Sequence, residues 1–384
     1  MALRGTNQEV GRSFNRRTVL ETIRLFGPIS RAEIAEKVGL TVQTVTTITH
    51  ELLGQQLLSA AVEPPRGRGQ PPTTLTINPA GGFTVGLSLS PAGIEIALVD
   101  LVGAIVERRK LAISLRDPAA TIEAGRRLVE ALCAGRRRET ILGMGIAIPG
   151  PQDVEPMSFV GSTTLEGWRG IPIADRFAAA TGLPTFLDID LTAAALGDLL
   201  YGIGRGFSTF YYLYFGAGLG GRFVQGRSVL GGHRGNAGEV GHMTIVVGGD
   251  PCPCGNRGCL ERYVSLDALE RRLRAEGIET APDEIILGGS PIFDAWLAEV
   301  APLMQAAIVS IENLFDPETI IIGGHAPRRL IERLVEAAEP LPHSIAERPD
   351  RSAPRITLSD DGVDAVLRGA AALAVSGTMS PAGR

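Results

Sequence analysis

Gly235-Asn236-Ala237-Gly238-Glu239-Val240-Gly241-His242, followed after nine residues by Cys252-Pro253-Cys254-Gly255-Asn256-Arg257-Gly258-Cys259-Leu260-Glu261, is the most informative stretch of the chain. Three of the four cysteines fall within eight residues, and His242 lies ten residues before the first of them. Three thiolates and one imidazole complete a tetrahedral structural Zn2+ site, so His242, Cys252, Cys254 and Cys259 are the predicted metal ligands. Gly255 and Gly258 let the chain turn tightly around the ion. A disulfide is the rival reading, but a C-x-C pair is poorly placed to bridge internally. Glu239 shares its short segment with His242, and Glu261 follows Cys259 by two residues, so a bound ion would hold both carboxylates rigidly. Such a carboxylate can accept two neighbouring sugar hydroxyls; a surface or helix-end role is the plain alternative for each. Cys133, alone on a predicted helix, reads as a small core residue.

Outward from this stretch the chain alternates strand-like and helix-like segments. Residues 83–89, 94–100 and 104–113 predict a three-strand meander, followed by a helix over 119–134 and a buried strand over 141–148. Further strands are expected at 185–188, 210–215, 221–224 and 319–322, alternating with helices near 174–181, 190–202 and 291–314. This repeated order points to an α/β body built on mixed sheets. Residues 376–384 read as a frayed end.

The first eighty residues follow a different pattern. Val19, Ile23 and Phe26 recur at i, i+4, i+7 and predict one buried helix face, which Gly27-Pro28 ends. Ser30-Arg31-Ala32-Glu33 is a capping box opening a second helix that buries Ile34 and Val38 and stops at Gly39. Thr41 caps a third helix with Val45, Ile48 and Leu52 inward. Two helices joined by a short turn around a glycine describe a helix-turn-helix. Outward near the start of the third helix stand Val42, Gln43, Thr44, Thr46 and Thr47. A recognition helix offers such residues to base edges: Gln bonds adenine N6 and N7, and Thr presents a methyl to thymine. Arg66 and Arg68, on a Gly/Pro-rich tip between strand-like 57–58 and 73–77, complete a wing suited to phosphates or a minor groove. The candidate contacts to a double-stranded operator are Arg31, Thr41, Gln43, Thr44, Thr47, Arg66 and Arg68, with Arg16 and Arg17 placed to touch phosphate.

Composition agrees with this division. At ~100–200 residues per domain, a chain of 384 residues holds two or three domains. Residues 1–78 carry nine basic and six acidic side chains, whereas the remainder carries 28 and 36. A small basic head on a larger acidic body fits nucleic-acid binding joined to ligand binding. The most apolar uncharged run, 207–221, has 15 residues, short of the ~18–20 that cross a bilayer. No signal-peptide pattern opens the sequence, so a cytoplasmic protein without membrane contact is expected.

Together these features resemble the ROK family (repressors, open reading frames and kinases) over nearly the whole chain. Gly238-Glu239-x-Gly-His242 followed by the Cys-x-Cys-Gly-x-x-Gly-Cys-x-Glu261 run is that family's signature, and the winged helix resembles its repressor branch. Ile148-Pro149-Gly150 and Asp190-Leu191-Thr192-Ala193-Ala194-Ala195-Leu196-Gly197 also match. The resemblance implies an α/β fold: a winged helix-turn-helix over 1–78, then the two-lobed actin-like (ribonuclease H-like) sugar-kinase fold. Its first lobe is expected over 79–190 and its second over 191–384, with a C-terminal helix that can return to the first. The family cleft holds a sugar with ATP alongside. Asp190 stands at the position of the family's catalytic base, and Asp190, Glu239, His242 and Glu261 are implied around the sugar hydroxyls. Thr164 falls where a sugar-contacting Asn is usual, and Ile189 where Asn commonly precedes the base.

The departures bear on function. Family kinases carry Asp-x-Gly-Gly-Thr-Lys after their first strand, where this chain has Ser88-Leu89-Ser90-Pro91-Ala92-Gly93. The acid is replaced, and Pro91 has no N–H to donate to a phosphate. The second phosphate loop, Gly216-Ala217-Gly218-Leu219-Gly220-Gly221, has Ala217 for the usual Thr, and Arg222 replaces a small residue beside it. Because phosphoryl transfer depends on positioning and charge neutralisation, neither ATP nor Mg2+ is expected, and Asp190 remains as a hydroxyl acceptor. The resulting expectation is a sugar-responsive transcriptional regulator, most simply a repressor of carbohydrate genes. As a homodimer or tetramer it would bind a pseudo-palindromic operator. The rival readings are an ATP-dependent hexose kinase with a DNA-binding head, and a regulator whose body only dimerises.

Overall fold

Ser30 sets the geometry of the amino-terminal unit. Its hydroxyl accepts the Glu33 N–H at 3.3 Å while the Glu33 carboxylate accepts the Ser30 N–H at 2.8 Å. In this computed structural model, which describes residues 8–62, 73–150, 165, 167–278 and 289–379, that reciprocal cap opens helix α2 (Arg31–Val38), between α1 (Gln8–Phe26) and α3 (Val42–Gly54). Thr41 caps α3 by accepting the Thr44 N–H at 3.2 Å. Strands β1 (Ile29–Ser30), β2 (Leu58–Val62) and β3 (Thr73–Ile77) form an antiparallel sheet in the order β1-β3-β2. Val19, Ile23, Ile34, Val45, Ile48 and Leu52 close on Leu75 and Ile77 as one apolar cluster. One expectation is corrected: Phe26 is 51% exposed, because it sits in the last turn of α1 beyond that cluster. The Lys37 ammonium covers its ring at 4.2 Å, and Val38 is only partly buried. Arg66, Arg68 and Thr164 lie outside the described residues.

The body contains the same sheet twice. Strands β4 (Phe83–Ser90), β5 (Gly93–Asp100), β6 (Ile105–Leu111), β7 (Ile141–Ile148) and β8 (Thr185–Ile189) are ordered β6-β5-β4-β7-β8. Strands β9 (Thr209–Phe215), β10 (Leu219–Gln225), β11 (Ser228–Val229), β12 (Thr319–Gly323) and β13 (Ile356–Leu358) are ordered β11-β10-β9-β12-β13. In each, an antiparallel meander is extended from its first strand by two parallel strands. This is a two-lobed, actin-like α/β architecture. The flanking helices are α4 (Pro118–Cys133), α5 (Ile173–Thr181), α6 (Asp190–Tyr201), α7 (Leu266–Ala275), α8 (Pro291–Phe315), α9 (Arg328–Ala338) and α10 (Ala365–Met379).

Helices α6 and α10 form the seam between the sheets. Helix α6 touches strands of both, and α10, though last in sequence, lies on β4, β5, β7 and β8 of the first. The approach to the first sheet is so close that a Cβ on Gly145 would overlap the Ala370 carbonyl oxygen. The frayed end expected over 376–384 is corrected for its first residues, since α10 continues to Met379, with Ala374 buried on the sheet and Val375 against Leu200 and Tyr201 of α6; residues 380–384 lie outside the described residues. A second correction concerns apolar length. Helix α8 has 25 residues and is apolar enough by composition to cross a membrane, which the run at 207–221 did not reveal. Phe293, Trp296, Val300, Met304, Ile308 and Ile311 of α8 instead build the core of the second lobe. Helices α7 and α9 and strand β13 were not anticipated.

Candidate functional site

A cleft of about 510 Å³ opens between the two lobes, and both expected phosphate loops and the metal segment reach it. From the first lobe come the turn of the β4–β5 hairpin, Pro149-Gly150 after β7, and Asp190 at the first position of α6. From the second come Ala217 to Gly220, Glu239, His242 and Glu261. Four of the five residues expected at a sugar thus face one cavity; the fifth, Thr164, is outside the described residues.

Beside the cleft, the ligand atoms of His242, Cys252, Cys254 and Cys259 all lie within 4.8 Å of one another. Cys254 Sγ is 3.7 Å from Cys259 Sγ, and His242 Nδ1 is 3.7 Å from Cys252 Sγ. A tetrahedral ion with metal–sulfur bonds of ~2.3 Å sets its thiolates ~3.8 Å apart, so this donor set can hold a metal. The backbone cooperates: Gly258 has φ +73°, and a Cβ there would strike the Val246 carbonyl. All four cysteines are free thiols, and Cys133 is half-buried in the first-lobe core. The Glu261 carboxylate is 3.4 Å from His242 Nδ1, so the cluster and the cleft share a wall.

Burial governs the electrostatics. The Asp190 carboxyl is pushed up to about 6, first by desolvation and then by the charge of Glu239, against the Leu191 N–H that it accepts. Burial also raises Glu239, opposed by Arg222 and His242. Asp190 is consequently a strong hydroxyl acceptor once ionised and a donor when not. Also lining the cleft, the β4–β5 turn offers phosphate very little. Ser90 pairs with Gly93, Pro91 lacks an N–H, and the Ala92 N–H is directed to Ser90 Oγ at 3.3 Å.

On α3 the threonine hydroxyls turn back to the backbone: Thr46 to the Val42 carbonyl at 2.7 Å and Thr47 to the Gln43 carbonyl at 3.2 Å. Thr41 and Thr44 bond each other at 2.9 Å. These bonds explain how a run of weak helix formers is accommodated, and they leave Gln43 and the methyl groups facing outward. Arg31 donates to Thr49 Oγ1 at 3.0 Å, tying α2 to α3.

Several cleft residues were not singled out in the sequence: Tyr214, Arg262, Ser265, Asp267 and His325. They come from separate segments with no shared spacing, so no local pattern could have flagged them. In the sequence Arg222 stands out only as a bulky residue beside a glycine loop, yet it is completely buried and bonded to Thr192 of α6.

This cleft, His/Cys cluster and doubled sheet define a body with the sugar-kinase-like fold, and the chain belongs to the ROK family, whose profile matches residues 84–376. The chain is 30% identical over 343 residues to the xylose repressor of Caldicellulosiruptor bescii, covering 83% of this chain and 85% of that one. Among solved structures, a ROK family transcriptional regulator described as a homologue of E. coli MLC superposes with a TM-score of 0.76 at 26% identity, covering 96% of this chain and 97% of its own. A ROK glucokinase from Streptomyces griseus, solved with glucose and AMPPNP, superposes with a TM-score of 0.62 at 25% identity. It covers 76% of this chain and 99% of itself.

Proposed function

We propose that this chain is a sugar-responsive transcriptional regulator, a repressor of genes for carbohydrate uptake or catabolism, acting in the cytoplasm. One observation carries the proposal: a ROK regulator matches 96% of the chain, head included, whereas a complete ROK kinase matches 76%. The remaining part corresponds in size to the basic amino-terminal head. In this reading α2 and α3 are a helix-turn-helix, with Gln43 at base edges and Thr41, Thr44 and Thr47 lining the groove. The segment between β2 and β3, with Arg66 and Arg68, is the wing. A homodimer sets two copies of α3 ~34 Å apart on a pseudo-palindromic operator.

Asp190, Glu239, His242 and Glu261, with Thr164, receive the hydroxyls of a sugar. Zn2+ held by His242, Cys252, Cys254 and Cys259 braces that wall as a structural ion. With Nδ1 of His242 turned to the thiols, Nε2 is the atom left for the ligand. D-xylose is the first effector to try, given the named relative. Closure of the lobes around it changes the spacing of the heads, and a linkage of ~1–3 kcal/mol releases DNA several-fold or more. The hexose-kinase alternative is weakened by the β4–β5 turn, where Pro91 and the occupied Ala92 N–H leave the phosphates few donors.

Fluorescence anisotropy on the DNA upstream of the protein's own gene, with a sugar panel headed by D-xylose and D-glucose, tests the proposal. Operator binding weakened by one sugar is expected. Binding no tighter than to random DNA at moderate salt, or sugar-dependent release of ADP from ATP at an ordinary enzymatic rate, overturns it.

A further inference from the structure

Arg222 is 0% exposed, an unusual place for a guanidinium, since burying a charge is costly unless its donors are satisfied. Here they are. Nε donates to Thr192 Oγ1 at 2.8 Å, and Nη2 to the Gly235 carbonyl at 2.8 Å. Nη1 donates to the Gly221 carbonyl at 3.1 Å and also to the Ala237 carbonyl. All four acceptors are neutral, while Asp188, Asp190 and Glu239 surround the cation with the compensating field.

These acceptors belong to three different parts of the site. Thr192 lies two residues beyond Asp190 on α6, Gly221 is in β10, and Gly235 and Ala237 lead directly into Glu239. The next carbonyl, that of Gly238, accepts the Gly221 N–H at 2.9 Å and the Tyr211 hydroxyl at 3.4 Å. Beyond Glu239, its own carbonyl accepts the His242 N–H at 3.0 Å, beside the metal cluster. Glu239 is therefore pinned on both sides. The metal segment holds one, and Arg222 holds the other while also gripping the helix that presents Asp190.

We propose that Arg222 is a positioning residue for ligand recognition: its guanidinium fork fixes the separation of Asp190 and Glu239 by tying the first turn of α6 to the segment 231–239. The proposal rests on the reading that these two carboxylates receive the ligand. A lysine cannot replace the fork, because an ammonium carries its donors on one atom and cannot span acceptors on three elements.

The test is hydrogen exchange by mass spectrometry on full-length Arg222→Lys, Arg222→Met and Thr192→Val, with binding of D-xylose and D-glucose followed by calorimetry. In both Arg222 variants, exchange in 231–239 should accelerate at least ~10-fold, as loss of ~1.4 kcal/mol of local protection does. Exchange in α3 and α8 and the metal content should stay as in the wild type. Thr192→Val, which removes one acceptor and leaves the guanidinium and its other three carbonyl acceptors in place, should accelerate exchange at the start of α6. Sugar affinity should fall by a similar factor in Arg222→Lys while operator affinity without sugar holds. Unaltered exchange in 231–239 and at the start of α6 overturns the proposal whatever the sugars do. Accelerated exchange in a protein whose wild type binds neither sugar supports the pinning and counts against the proposed effector class instead.

Discussion

Glu21 in the first helix of the head pairs with Arg227 of the body, Oε1 lying 3.1 Å from Nη2. Arg227 sits at φ +63° in the β10–β11 turn and also donates to the Leu199 carbonyl at 3.0 Å, near the end of α6. Arg205, just past α6, donates to the Arg24 carbonyl of α1 at 2.6 Å. The head is thus docked on one end of α6, while Asp190 stands in the cleft at the other. Twelve residues of helix span ~18 Å, so one rigid element joins the two sites.

Glu21→Gln should loosen this docking at little cost, since a partly exposed ion pair contributes ~0.5–1 kcal/mol. The thermal midpoint should barely change, while the sugar-induced loss of operator affinity shrinks. A thermal melt reads the midpoint and anisotropy with and without sugar reads the coupling, and an undiminished sugar response removes the pair from the coupling.

Metal removal should act on the body and spare the head. Cys254→Ser, or prolonged chelation, is expected to lower the zinc content from about one ion per chain, read by elemental mass spectrometry. At ~2–4 °C per kcal/mol for domains of this size, the midpoint should drop by at least ~5 °C. A protein purified without chelator that carries no metal contradicts the assignment.

A pH dependence follows from Asp198, which is 0% exposed on α6 and accepts the Ser359 hydroxyl at 2.6 Å. Burial and the neighbouring Asp361 push its carboxyl up to about 7 from an ordinary 3.8. The folded state therefore holds this proton more tightly than the unfolded one, so stability is greatest below the ordinary value and declines as pH rises towards 7. Asp198→Asn keeps an acceptor for Ser359 and removes the charge. It should be more stable than the wild type at pH 8, by a few kcal/mol at ~1.4 kcal/mol per unit, with the gain gone at pH 4. Equal gains at both pH values in denaturant melts would falsify this account.

Gln43→Ala should cost ~1–3 kcal/mol of operator affinity and relax the preference for adenine at one position in each half-site. Competition with single-base operator variants measures both. A uniform weakening across all variants would assign Gln43 to the backbone instead.

Much of the fold was legible because it is written in local patterns. The Ser30–Glu33 box, the Thr41 cap and the alternation of strands and helices from residue 83 all depend on neighbours in sequence, and the structure shows them in place. The cluster of His242, Cys252, Cys254 and Cys259 was legible for the same reason, being four residues of distinctive chemistry within one short span. Phe26 misled because its periodicity was right but the helix outran its core. Helix α8 shows no long uncharged run because Asp294, Glu299 and Glu312 interrupt it, yet its mean hydropathy stays high enough for a membrane span by composition.

The sequence by itself determined the cluster, the caps and the proline turn between β4 and β5, since each follows from which side chains and N–H groups a few adjacent residues possess. Only the tertiary structure decided that α10 returns to the first sheet, that Asp190 and Glu239 share a cavity, and that Arg222 is the buried tie between their segments. Those relations join residues far apart in the chain, and they exist only where the packing of two sheets on a pair of small-residue helices brings the parts together.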